Sequence, residues 1–298
     1  MNFYSPSTFN RARVQSFGSG GGFIRSHEAL TMDQIAKAAP SVFAQGKHDS
    51  RSERYTYIPT SAVLEGLAKE GFHPFSVKQG GSRDAEKRGF TKHMIRLRHA
   101  GAAMATQVGD SVPEIVLVNS HDGTSSYHLT YGFFRLVCSN GLIVADAERG
   151  AVGVKVPHKG DIVSNVIEGV YSVIEEGDAH AARIDNMRAL ALTAPEQAAF
   201  VAAAMPLRFD ADNMPAITPE QVLRPRRTAD VGNDLWRVFN RTQESLTQGG
   251  LNYVQRDAQG RRVARRETRP VNGVDGDLKL NRQLWALAES MAQLKAAA

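Results

Sequence analysis

The sequence predicts an α+β fold: a bent antiparallel sheet over about residues 72–156, with packed helices that are mostly C-terminal. Two observations carry this. Through that stretch apolar and polar residues alternate with period two, and from about residue 161 onward apolar residues recur at helical spacing. Strands gathered ahead of helices, rather than interleaved with them, read as α+β.

The elements follow in order. Residues 16–26 contain Gly18-Ser19-Gly20-Gly21-Gly22, a flexible connector. Residues 1–25 therefore read as a flexible arm and 26–298 as a single domain. Thr31-Met32-Asp33-Gln34 is a helix start, with Thr31 capping and Gln34 reaching back, and Pro40 ends that helix. A second helix follows Pro59: Thr60 caps it, Val63, Leu64 and Leu67 share a face, and Gly71 supplies a left-handed stop. Residues 72–78 read as a strand. Residues 90–98 read as another, with Thr91, His93, Ile95 and Leu97 pointing one way and Lys92, Met94, Arg96 and Arg98 the other. Residues 114–119 are nearly all apolar, which suits a central strand. Turn residues 119–125 join them to a fourth strand, 126–134, as a hairpin. Asn140-Gly141 marks a further tight turn, and 151–156 suit a short edge strand ended by Pro157.

Helices dominate the remainder. Asp161 caps one whose Ile162, Val163, Val166, Ile167, Val170 and Ile174 form a broad apolar stripe. Thr193-Ala194-Pro195-Glu196 and Thr218-Pro219-Glu220-Gln221 are capping boxes with proline in the first turn. Residues 233–248 form a helix ended by Gly249-Gly250. A last helix from about Asp277 puts Leu280, Leu284, Leu287, Met291 and Leu294 on one face. Trp236 and Trp285 sit among apolar residues at helical spacing and are expected to be packed. Between these helices, residues 251–276 are polar and arginine-rich and read as a basic loop.

Composition bounds the function. No apolar run approaches the roughly 18 residues that span a bilayer, so no membrane association is expected. The opening residues show no basic segment followed by an apolar stretch, so no secretory signal is expected. The single cysteine, Cys138, can form neither an internal disulfide nor a cysteine-cluster metal site. These features point to the cytoplasm. The net charge of +5 is modest, but its distribution is uneven: residues 256–269 hold six arginines against Asp257 and Glu267, a net +4. Arg224, Arg226 and Arg227 form a smaller cluster.

No catalytic residue stands out, and neither a metal nor a cofactor is expected. Cys138 lies in an apolar context and reads as a buried core residue. The histidines show no His-Glu-x-x-His spacing. His121-Asp122, with His128 on the next strand, is the best imidazole–carboxylate grouping, although Asp122-Gly123 also reads simply as a turn dipeptide. Nucleic acid is the other reading. Single-strand binders combine a cationic groove with aromatic platforms on which bases stack. Lys92, Arg96 and Arg98 on one strand face, Arg135 after Tyr127, Tyr131, Phe133 and Phe134, and Arg261, Arg262, Arg265 and Arg266 in the basic loop supply those ingredients. The alternative is that the aromatics form the core and the basic residues face water.

Several stretches are more specific than fold alone requires. They are Ala39-Pro40-Ser41-Val42-Phe43 after Thr31; Ser52-Glu53-Arg54-Tyr55 running into Ile58-Pro59-Thr60; Gly71-Phe72-His73-Pro74; Phe134-Arg135-Leu136-Val137-Cys138-Ser139-Asn140-Gly141-Leu142; Leu235-Trp236 to Phe239-Asn240 with Gln243-Glu244 and Gly249-Gly250; and Asn281 to Leu284-Trp285. Together they resemble the bacterial family called domain of unknown function 932, or phage/plasmid-like protein, from about residue 30 onward. The resemblance implies a mobile-element origin and supplies no catalytic residue. In organisation alone the chain is also similar to phage single-strand-annealing proteins of the RecT and Erf kind, which implies a homo-oligomer. The expectation is a nucleic-acid-binding protein, with single-stranded DNA as partner and strand annealing as activity. The alternative is a non-catalytic factor that binds a host or defence protein. An enzyme comes third.

Overall fold

The computed structural model describes residues 14–46, 57–101, 111–135, 140–143, 153–175, 177–257 and 259–297. The class is α+β, with an antiparallel sheet whose strand order follows the chain from β1 to β7, a further strand β8 on β6, and a separate two-stranded sheet. Among the described residues no helix is long and apolar enough to cross a membrane. The chain divides into two compact units. One comprises residues 1–103, 115–129 and 155–170, the other 104–114, 130–154 and 171–298.

In the first unit, the stretch expected to be a flexible arm carries β1 (Gln15–Phe17) and β2 (Gly21–Arg25). The glycine run conceals this: β2 pairs with β3 (Phe72–Gln79) from Gly22↔Gln79 to Arg25↔Ser76 and buries Ile24. Helix α1 (Met32–Ala38) has the predicted capping box on Thr31. Helix α2 (Thr60–Lys69) starts one residue earlier than the capping reading requires. Its N-cap is Pro59, so the Thr60 side chain is free to turn inward. Gly71 takes the expected left-handed conformation, φ 83°.

Strand β4 (His93–His99) pairs antiparallel with β3 and with β5 (Ser111–Asn119), the latter from His93↔Asn119 to Leu97↔Ile115. His93 to Arg98 are all buried. The predicted alternation holds, but it does not give one wet face: Arg96 and Arg98 are only 2% and 3% exposed. The Arg98 guanidinium lies over the Phe75 ring, 4.4 Å from its centre. An arginine's long apolar stem and flat head suit an interior lined by rings, so a polar letter at period two does not guarantee solvent.

In the second unit, the end of β6 (Tyr127–Arg135) pairs with β7 (Asn140–Ile143) from Gly132↔Ile143 to Arg135↔Asn140. Asn140-Gly141 are therefore ladder residues, not the tight turn expected of them. Cys138 lies outside the described residues. Strand β8 (Val154–Val156) and helix α3 (Ile162–Glu175), most of whose residues belong to the first unit, precede α4 (Gly177–Ala189), α5 (Ala194–Arg208), α6 (Pro219–Leu223), α7 (Leu235–Gln248) and α8 (Val274–Ala297) of the second. The capping boxes on Thr193 and Thr218 form as predicted.

Helix α7 is the centre of this unit, with every residue from Leu235 to Leu246 buried except Arg237. Trp236 stacks on Phe239 at 5.7 Å, and Trp285 of α8 meets Phe239 edge-on at 6.0 Å. A helix buried on most of its surface must satisfy its buried polar side chains internally. Gln243 Nε2 donates to Asn281 Oδ1 at 2.6 Å, and Glu244 accepts both arms of the Arg227 guanidinium. The motif residues Gln243, Glu244 and Asn281 thus hold the core together.

Candidate nucleic-acid interface

The segment read as a basic loop is a two-stranded ribbon. Strand β9 (Asn252–Arg256) pairs antiparallel with β10 (Arg262–Glu267), with a bulge at Val263. No apolar alternation announces it, because both faces meet solvent. Local chemistry closes its turn instead. Asp257 Oδ1 accepts from the Gln259 and Arg261 amides, and Oδ2 accepts from Arg261 Nε at 2.9 Å. Gly260 takes φ 77°, and its carbonyl accepts from Arg256 Nη1 at 2.8 Å.

The foot of the ribbon is fixed to the end of α7. Gly249 caps that helix at φ 68°, and a side chain there would place its Cβ 2.4 Å from the Thr268 carbonyl oxygen, so only glycine fits. Gly250 N donates to Thr268 O, Thr268 N to Leu251 O, and Leu251 N to Thr268 Oγ1. Arg208, at the end of α5, donates to the carbonyls of Leu246 and Arg269 and lies over the Phe209 ring at 5.2 Å.

Register decides what each face offers. Arg256 stands opposite Arg262, and on the same face Arg265 stands opposite Val254 and Glu267 opposite Asn252, three cations against one acid. Tyr253 stands opposite Arg266 on the other face, where Arg266 Nε donates to Gln255 Oε1 at 2.9 Å. Arg256, Arg261, Arg262, Arg265, Arg266 and Arg269 are all exposed. Arg261 is engaged by Asp257 at 2.9 Å. Among the described residues, the side chains of Arg262, Arg265 and Arg269 have no partner. A hollow of about 500 Å³ at the ribbon's foot is lined by Phe209, Asn213, Pro215, Tyr253 and residues 265–269. A second, of about 490 Å³, lies by Gln221, residues 224–226 and residues 250–252.

The other residues singled out in the sequence fall elsewhere. Lys92 is half-buried, Arg96 and Arg98 are buried, and Arg135 ends β6. Lys92, Arg96 and Arg98 belong to the first unit, and the ribbon's arginines to the second. Tyr253 and Phe209 were missed; the signal for Tyr253 was a lone aromatic residue inside an arginine-rich segment.

The His121-Asp122 grouping also resolves differently. Asp122 accepts from the Thr124 amide and hydroxyl, as a turn residue does. His121 points inward, away from that role, into a sealed polar cluster of the first unit. Thr60 Oγ1 is its hub, 2.9 Å from His93 Nε2, 3.2 Å from His121 Nε2 and 3.1 Å from Asn119 Nδ2. Ser41 Oγ meets His93 Nδ1 at 2.9 Å, and Asn119 Oδ1 meets His158 Nε2 at 3.0 Å. Burial, reinforced by the neighbouring His121, lowers the His93 pKa to about 3. Burial, reinforced by His158, lowers that of His121 to about 4, and burial lowers that of His158 as well. Neutral, hydrogen-bonded and closed to solvent, the cluster pins the start of α2 to the sheet. Among the described residues no group of three or more histidine, cysteine or acidic side chains is placed to hold a metal ion.

Comparison with known proteins adds a family. The family described as Domain of unknown function (DUF932) matches residues 47–285. Two proteins of Escherichia coli K12, UPF0380 protein YafZ and UPF0380 protein YfjQ, are each 47% identical over 279 residues, covering 94% of this chain and 97% of theirs. No solved structure gives a significant match.

Proposed function

We propose, for a chain that belongs to the DUF932 family, that it binds nucleic acid and that the β9–β10 ribbon is its phosphate-contacting surface. The observation that carries this reading is the cross-strand placement of Arg256 opposite Arg262, with Arg265 on the same face. Like charges directly opposite one another weaken a strand pair. A ribbon needs only a few charges to keep its open edges from pairing with other chains. Crowding like charges on one face works against the ribbon's own stability, and a polyanion laid across that face relieves it. Guanidinium groups grip phosphate as a two-pronged fork.

The test is the salt dependence of binding. Each phosphate neutralised contributes roughly 0.7 to the log–log salt slope for a single strand and roughly 0.9 for a duplex. The variant Arg262→Ala/Arg265→Ala/Arg266→Ala/Arg269→Ala should flatten the slope for a long single strand by about 3. Arg83→Ala, exposed in the first unit, should leave it unchanged. Wild-type protein that fails to bind a long oligonucleotide at low salt, or a quadruple variant with an unaltered slope, refutes the reading.

A further inference from the structure

We infer that the hollow at the foot of the ribbon seats one unstacked nucleobase, which makes the ribbon's partner a single strand. The inference rests on the nucleic-acid reading and deepens it.

Three features of the hollow point the same way. Its walls include two half-buried rings, Tyr253 and Phe209, and the apolar ring of Pro215. Every nucleobase has a π-face that such rings bind without regard to sequence. Its lining also carries Asn213, whose amide can both donate to and accept from a base edge. Finally, Arg266, cross-strand from Tyr253, and Arg269 belong to the same lining, so forked donors for the phosphate of a seated base lie beside the rings. The one acid in the lining, Glu267, lies on the face of β10 that carries Arg265, not on the face of Tyr253 and Arg266.

The walls are held in place before any ligand arrives. Arg208 ties the Phe209 corner to α7 and to the strand leaving β10, and Gln255 holds Arg266 on the Tyr253 face. At about 500 Å³ the hollow has the size of an ordinary small-ligand site. The neighbouring hollow by Gln221 and Arg226 has no aromatic ring in its lining, so it suits phosphate or sugar and not a stacked base. In a duplex the base faces are already stacked on one another. A duplex can lie on the arginines but leaves the ring-lined hollow empty, whereas a single strand fills it.

The experiment uses full-length protein, a fluorescent oligo(dT) 20-mer and the same strand paired with oligo(dA), read by anisotropy. Tyr253→Ala should weaken single-strand binding about tenfold, within the range for loss of one stacked base. It should leave the salt slope unchanged and alter duplex binding less than twofold. Tyr253→Phe should restore single-strand affinity. Thermal melting of each variant confirms that it is folded. Equal weakening of both substrates by Tyr253→Ala, or no weakening of either, overturns the base seat while leaving the arginine ribbon standing. Wild-type protein that binds neither substrate overturns both readings.

Discussion

Lowering the pH from 7 to 5 should loosen the first unit from within. His93 and His121 are wholly buried and hydrogen-bonded through Thr60, and their folded pKa values, about 3 and about 4, lie below the ordinary 6.5. A histidine whose folded pKa is depressed binds fewer protons in the fold than in the unfolded chain. Its contribution to stability is fully present above about pH 6.5 and is lost as pH falls below that value towards the folded pKa. At pH 5 each is nearly all protonated when unfolded and nearly all neutral when folded. Each therefore removes about 2 kcal/mol of the stability present at neutral pH, and the two remove about 4 kcal/mol. The figure is set mainly by the unfolded pKa, because both folded values lie below 5. His158 shifts in the same direction and adds to the loss. His121 Nδ1 is buried with no partner among the described residues, so a proton placed there has no acceptor. The assay is amide hydrogen exchange in β4, corrected for the intrinsic pH dependence of exchange. Tryptophan fluorescence is the wrong probe, since both tryptophans lie in the second unit. Protection across β4 should fall by about a thousandfold between pH 7 and pH 5, the equivalent of about 4 kcal/mol. A change of less than tenfold refutes the claim that the cluster is neutral and sealed.

Two further outcomes concern the second unit, where tryptophan fluorescence does report. Arg227 donates to Glu244 through both guanidinium arms and also pairs with Asp230, and both acids are almost fully buried. Arg227→Ala should cost roughly 3–5 kcal/mol in urea unfolding, because it strands buried carboxylates, whereas exposed Arg224→Ala should stay within about 0.5 kcal/mol. Gly249→Ala should pull the ribbon's foot away from α7, since the added Cβ falls 2.4 Å from Thr268 O at a left-handed φ. Trypsin should then cut within 256–269 several-fold faster, and nucleic-acid affinity should drop with no arginine changed. Wild-type cutting rates would show that the foot tolerates the methyl group.

Where burial is one-sided, the sequence is a good guide to this fold. The stripe on α3, the capping boxes on Thr31, Thr193 and Thr218, and the strands at β3 to β6 all follow from periodicity and local hydrogen-bond chemistry. The misses share a cause. Strands β1 and β2 hide in a glycine run, where Ile24 is the one large apolar side chain of β2 that is fully buried, too little to make a pattern. The β9–β10 ribbon hides because neither face is dry, so period two has nothing to sort. Thr60 is misassigned because a one-residue difference in helix start decides whether its hydroxyl caps α2 or enters the cluster of His93 and His121.

The candidate site was half legible for a deeper reason. Sequence shows where arginines are, but tertiary structure decides which of them are already spent. The partner of Arg261 is four residues away and readable from the Asp257 turn. Arg227 pairs with Asp230, three residues on, but it gives both guanidinium arms to Glu244, seventeen residues away on a buried helix, and no spacing rule predicts that. Arg208 is taken by two backbone carbonyls, and Arg98 by a ring and the sheet interior. What distinguishes Arg262, Arg265 and Arg269 is the architecture around them. The one acid on the face of Arg265 is Glu267, and among the described residues it pairs with none of these three arginines. That leaves these cations available to a partner. That is why the salt slope, which counts released counterions, and not stability is the property through which these arginines should be read.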